Sequence, residues 1–173
     1  MQRVGSTSAV TAMFVRRAIN FTLLGLMFNA FSGDGADLST LRIPGVLQRS
    51  GLCALVALMV VLACRRRAVL VAAAALVLLV GYGQWMVHSD RGCGSEVTAA
   101  CNAAGSVDAD LIPIEHLYRG VDYPGYDPEG IASSTTAVVT VLVGWVAMTA
   151  ALRRVPSVRW WLVALPTAGG LWM

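Results

Sequence analysis

The sequence contains no lysine, and only 13% of its 173 residues are charged, against about 25% in an ordinary soluble domain. Cysteine is sparse as well: four scattered residues are too few for a disulfide-framework mini-protein. No Gly-X-Y period and no long tract of low hydrophobicity occurs, so collagen-like and disordered classes fall away. G-x-S-x-G, Walker and H-E-x-x-H patterns are missing too, which leaves hydrolase, P-loop and zincin chemistry without support. What is abundant is apolar side chain, at 57% of the residues. A spanning helix takes about 20 such residues, so this length holds several spans and one sizeable loop.

The apolar runs predict an all-α, polytopic transmembrane helix bundle. Ala18 to Gly33 is a short uncharged first span, and Ile43 to Cys64 is a second, interrupted only by Arg49. Ala68 to Ser89 and Gly130 to Leu152 are charge-free third and fourth spans. A fifth apolar run starts at Trp160 and reaches Met173 before a bilayer thickness is complete, so it reads as truncated. The implied organisation is a cytoplasmic segment over 1–17, three helices over 18–88, a loop over 89–130, and the fourth and partial fifth helices over 131–173.

Cytoplasmic connections collect arginine and lysine, and Arg16–Arg17, Arg65–Arg66–Arg67 and Arg153–Arg154 fall at alternate span ends. The N-terminus is therefore expected inside and the long loop outside, in a plasma (bacterial inner) membrane. All ten acidic residues lie in the other two connections, between Asp34 and Asp37 and between Asp90 and Glu129. Arg16–Arg17 followed by an apolar stretch and Ala30-Phe31-Ser32 also imitates a secretory signal, and its cleavage would leave the later topology unchanged.

Two strings border the spans. Arg42-Ile43-Pro44-Gly45-Val46-Leu47-Gln48-Arg49 opens the second, and Pro44 suits a first helical turn. With Arg42 at the surface, Arg49 lies roughly 10 Å deeper along a helix rising about 1.5 Å per residue. A guanidinium there either faces a polar cavity, where it can grip a phosphate or carboxylate, or snorkels as an anchor. In Tyr126-Asp127-Pro128-Glu129-Gly130, Asp127 reads as an N-cap and Pro128 as the first helical residue. Glu129 complements the helix dipole, and the two carboxylates can also orient a substrate amine or hydroxyl at a cavity mouth.

In the loop, Cys93 and Cys101 form a disulfide candidate. Cys53 and Cys64 read as apolar span residues, and no metal-ligand spacing is recognisable. His116 is the histidine well inside the loop and the candidate general base, with a loop hydrogen-bonding role as the plainer alternative.

Those strings, together with Cys101-Asn102-Ala103-Ala104-Gly105, Asp108 and His116-Leu117-Tyr118, follow the order and approximate spacing of one family. From about Arg16 to Leu152 the chain resembles the middle portion of the heparan-alpha-glucosaminide N-acetyltransferase family, in its bacterial branch. The resemblance implies a multi-span enzyme that takes an acetyl group from acetyl-CoA and places it on an amino sugar or related glycan at the outer side. It also implies a catalytic histidine in a segment preceding the matched region, a position that neither His88 nor His116 occupies. Arg42, Gln48, Arg49, Asp127 and Glu129 are then expected to bind and position substrates, and the chain alone is expected to be inactive. The implied partners are the bilayer and the acceptor sugar; nothing points to nucleic acid, and homo-oligomerisation stays open. The alternative is a non-catalytic membrane subunit or a transporter-like protein, with Gly144 read as a site of close helix packing.

Overall fold

The computed structural model describes residues 7–32, 37–89, 98, 101–118 and 127–154. Among them are five α-helices and no strand: α1 (Thr7–Ser32), α2 (Val46–Ala63), α3 (Ala68–His88), α4 (Ala103–Leu111) and α5 (Ser134–Arg154), with a 3-10 turn at Ile114–His116. All but the nine-residue α4 are long and apolar enough to cross a membrane. The fifth apolar run, from Trp160, lies outside the described residues.

The packing is inside-out relative to a soluble bundle. On α1 the buried residues are small, Ala18 and Gly25, while Leu23 (60% exposed), Phe28 (65%) and Phe31 (80%) face outward. The core between α2, α3 and α5 is likewise built from short side chains: Cys53, Ala57 and Val61 one turn apart on α2, Val71 and Ala75 on α3, and Val138, Val139 and Leu142 on α5. Large apolar groups pointing out and small ones in suit a lipid environment, where close backbone approach rather than water exclusion holds helices together. At Gly51 of α2 an added Cβ would lie 3.0 Å from the Ala18 Cα and 3.1 Å from the Phe21 Cβ, so the α1–α2 crossing depends on that glycine. Gly144 differs from its sequence reading: a Cβ there meets nothing within 4 Å, so no close packing among the described residues requires it.

Pairings at helix ends give the directions. Asn29 near the end of α1 bonds the 42–44 segment before α2, so these two are antiparallel, and Cys53 meets Ser134, so α2 and α5 run together. One end of the bundle thus carries the acidic connections, and the other carries Arg65–Arg67 and Arg153. At the arginine end the α2–α3 turn is a Schellman closure, with the Arg66 N–H on the Val61 carbonyl and the Arg65 N–H on that of Leu62. Arg65 (φ 51°) and Arg66 (φ 57°) occupy the left-handed region that glycine fills at lowest cost.

Helix limits depart from the sequence reading in three places. α1 starts at Thr7 rather than Ala18, continuing through Arg16–Arg17; its 26 residues give about 39 Å, more than the roughly 30 Å hydrocarbon core. α2 starts at Val46, leaving Pro44 outside it, because the Asn29 amide donates to the Arg42 (2.8 Å) and Pro44 (3.3 Å) carbonyls and Gly45 is extended at φ −177°. α5 starts at Ser134, preceded by turns over 127–133.

Substituting Gly51→Leu is expected to wedge α1 from α2 and cost roughly 1–3 kcal/mol, whereas Gly144→Ala is expected to be near neutral. Thermal melts of the detergent-purified chain check both, and equal melting temperatures for the two variants would refute the assigned crossing.

Candidate functional site

The site grows from one residue pair at the acidic end. Arg42 donates from Nε to Asp127 Oδ2 at 3.0 Å and from Nη2 to Asp127 Oδ1 at 2.6 Å, a bidentate grip, and Nη2 also meets Glu129 Oε2. The Asp127 side chain is fully buried and that of Arg42 is 26% exposed. Asp127 accepts two further bonds, from the Tyr118 N–H at 3.0 Å and the Glu129 N–H at 2.9 Å, so its carboxylate is saturated. The Arg42 guanidinium also lies 4.7 Å over the Tyr118 ring. Burial pulls the Arg42 pKa down, but hydrogen bonds and Coulomb attraction to Asp127 and Glu129 outweigh it and leave Arg42 above its ordinary value.

Asp127 was expected to cap the fourth span. It closes the turn at Glu129 instead, through an Asx-type bond, and α5 begins only at Ser134. Arg49 sits in the first turn of α2, which starts at Val46, so the path from Arg42 to Arg49 is not one continuous helix. Its Nη1 donates to the Pro128 carbonyl at 2.9 Å and its Nη2 to that of Ser133 at 3.3 Å, which ties α2 to the turns before α5. The Arg49 Nε is buried and has no hydrogen-bond partner among the described residues.

His116 clamps the chain before α2. Its Nδ1 donates to the Leu41 carbonyl at 2.7 Å, which requires a proton on Nδ1, and its own carbonyl accepts the Ile43 N–H at 2.9 Å. The region read as plain loop contains α4, started by Asn102, whose side chain accepts the Gly105 N–H at 2.7 Å. α4 turns Ala104 and Asp108 inward, one helical turn apart. Asp108 Oδ1 accepts the Ala132 N–H at 2.9 Å, while the buried Oδ2 has no partner among the described residues and lies where a Cβ on Gly130 would overlap it. Burial pushes the Asp108 pKa up, opposed by the Ala132 and Ile131 amides and reinforced by Asp127.

Beneath these contacts a cavity of about 450 Å³ opens between α1, α2 and α5. Its walls are mostly apolar, and Gln48, Arg49, Glu129, Ser134 and Thr135 supply polar groups. Gln48 is buried; its amide donates to the Ile43 carbonyl at 3.1 Å and packs into space that a side chain at Gly25 would take. Gln48, Arg49 and Glu129 therefore line the cavity, Arg42 and Asp127 hold its roof together, and His116 is not among its lining residues. Asp108, Tyr118 and Asn29 enter the site without having been singled out as site residues; for Asp108 and Tyr118 the sequence signal was their place in the shared strings. Cys101 is disulfide-bonded and Cys53 and Cys64 are free thiols, while Cys93 and Tyr126 lie outside the described residues.

Arg42→Gln is expected to cost about 3 kcal/mol by leaving the Asp127 carboxylate buried beside a neutral group, and Arg42→Gln/Asp127→Asn is expected to recover part of that in thermal melts. For Asp108 the folded pKa exceeds the unfolded one, so its stabilising contribution is full below the unfolded value and is lost as pH rises through the raised folded value. Asp108→Asn is expected to flatten that part of the melting-temperature profile, and an unchanged pH slope would place its origin elsewhere.

Comparison with protein-family models finds no match for the chain, and comparison with curated proteins finds none either.

Proposed function

We propose that the chain is the binding and positioning portion of an integral membrane acyltransferase, of the kind its strings resemble. In this reading it moves an acetyl group from acetyl-CoA to an amino sugar or related glycan. The N-terminus is cytoplasmic and the acidic end of the bundle is extracytoplasmic, in a bacterial plasma membrane. One observation carries the reading: the separated strings that bear the resemblance meet at one end of the bundle, where two of them, 42–49 and 126–130, also contribute to the wall of one cavity. Arg42 pairs with Asp127 and Glu129, Asp108 bonds Ala132, and His116 and Tyr118 brace the same segments. A mostly apolar cavity of about 450 Å³ with a few polar groups at one end falls within the usual size and character of small-ligand sites.

The roles divide by what each side chain has left to give. Arg42 commits Nε and Nη2 to Asp127 and Glu129, Asp127 has every lone pair filled, and the two act as a clasp. Arg49 keeps an Nε–H with no hydrogen-bond partner among the described residues and Glu129 keeps a partly exposed carboxylate, so these two are the groups to orient a carbonyl and an amine. In the transfer itself the amine nitrogen bonds the acyl carbon, the thiolate of the donor leaves, and a base takes the amine proton. The resemblance assigns that base to a histidine outside the matched residues, and His116, which commits Nδ1 to Leu41 and does not line the cavity, is not placed to replace it.

Acetyl transfer from labelled acetyl-CoA to glucosamine, in membranes holding the chain with its flanking coding sequence, tests the reading. Transfer is expected there, and Arg49→Lys is expected to lower it by roughly 10- to 100-fold, since the planar donor is lost while the charge is kept. No transfer from the extended protein would favour a non-catalytic membrane subunit.

A further inference from the structure

A second site lies at the opposite end of the bundle. Arg66 and Arg67 from the α2–α3 turn and Arg153 near the end of α5 surround a pocket of about 440 Å³, completed by Ala68, Val69 and Leu70. All three arginines are exposed, and none makes an ion pair among the described residues. The acidic residues among the described ones, Asp37, Asp108, Asp110, Glu115, Asp127 and Glu129, all belong to the connections at the other end. Three arginines lining one pocket with no carboxylate among its described lining residues favour an external anion, and a guanidinium's planar fork suits phosphate oxygens. The first turn of α3, Ala68 to Leu70, completes the wall of the same pocket.

What surrounds the pocket decides which phosphate it takes. Between the same two helices, further along α3 and back along α5, runs a wholly apolar groove of about 380 Å³, lined by Ala72, Leu76 and Leu79 on one side and Val139, Val143 and Ala147 on the other. Small side chains at 72 and 147 leave it open, and the neighbouring Val69 (80% exposed) and Val77 (70%) face outward. A basic pocket above an apolar groove on an outward, lipid-facing surface matches a phosphate headgroup joined to an acyl chain, and a soluble phosphate would leave the groove unfilled. We propose that the α3–α5 face is a binding site for one anionic phospholipid, with its phosphate held by Arg66, Arg67 and Arg153 and one acyl chain laid along the groove. The proposal rests on the membrane-spanning part of the functional reading and is independent of acyl transfer.

The test uses the full chain in mild detergent, with phosphatidylglycerol, phosphatidylcholine and 3′,5′-adenosine bisphosphate as probes, read by native mass spectrometry and by thermal shift. The wild type is expected to retain one phosphatidylglycerol at least tenfold more strongly than phosphatidylcholine. Arg66→Gln/Arg67→Gln/Arg153→Gln is expected to erase that preference. Ala72→Phe, which fills the groove and leaves every arginine in place, is expected to lose the bound lipid. Equal retention of the two lipids, preference surviving in the arginine variant, or retention surviving in Ala72→Phe each overturns the site. Displacement of the lipid by the soluble bisphosphate also overturns it and assigns the arginines to a soluble ligand. Alkaline-washed membranes report spanning separately: a chain that stays in them yet shows no lipid preference refutes this proposal alone.

Discussion

The carboxylate of Asp127 is the constraint on which the acidic end of the bundle depends. A fully buried carboxylate is tolerable only when its charge is matched and its lone pairs are filled, and here four donors from three segments do this: two from Arg42 and one each from the Tyr118 and Glu129 amides. Residues 85 positions apart in sequence are thereby fixed within one hydrogen-bond shell. The approach to α2, the segment after the 3-10 turn and the approach to α5 cannot shift independently, because any displacement strips the acid of a donor. The cavity below inherits its shape from that lock.

Polar side chains elsewhere at this end serve mainly to satisfy backbone that is not helical. Asn29 supplies donors to the Arg42 and Pro44 carbonyls, His116 to that of Leu41, Gln48 to that of Ile43, and Arg49 to those of Pro128 and Ser133. These carbonyls flank α2 and α5 outside any helical ladder, and irregular backbone near a membrane is stable only when protein or water completes its bonds. Asparagine, glutamine, histidine and arginine at the helix edges are therefore accounted for by backbone satisfaction before any ligand is invoked. What exceeds that need, the Arg49 Nε and the exposed side of Glu129, marks where a ligand has something to meet.

The sequence discloses the spans because apolar length and interrupting charge are one-dimensional properties, and four long apolar helices stand where uncharged runs predicted them. Their ends were less legible, because side chains distant in sequence set them: Asn29 keeps Pro44 out of α2, and the claim of Arg42 on Asp127 takes that acid away from capping α5. Helix α4 escaped notice because nine residues containing Gly105 carry no long apolar period; its start depends on one Asn102 side-chain bond and its inward face on Asp108. Arg42, Gln48, Arg49, Asp127 and Glu129 could be singled out, since charge beside an apolar run is visible in a string. That Arg42 and Asp127 would neutralise each other was not visible, because pairing across 85 positions leaves no periodic trace.

Asp108 and Asp127 show how little separates a structural acid from a chemically poised one. Both are buried to about 1% exposure in the same corner of the fold, and both carry an oxygen bonded to backbone amides. Asp127 faces a guanidinium that matches both its oxygens, whereas Asp108 turns its second oxygen against the bare Cα of Gly130, with no donor among the described residues. The difference is made by one arginine and one missing Cβ: Asp127 has both oxygens matched by Arg42, whereas Asp108 is bonded to no cation among the described residues and burial raises its pKa. The glycine at 130 is thus what admits the Asp108 side chain against the turn that Asp127 closes, since a Cβ there would overlap its Oδ2.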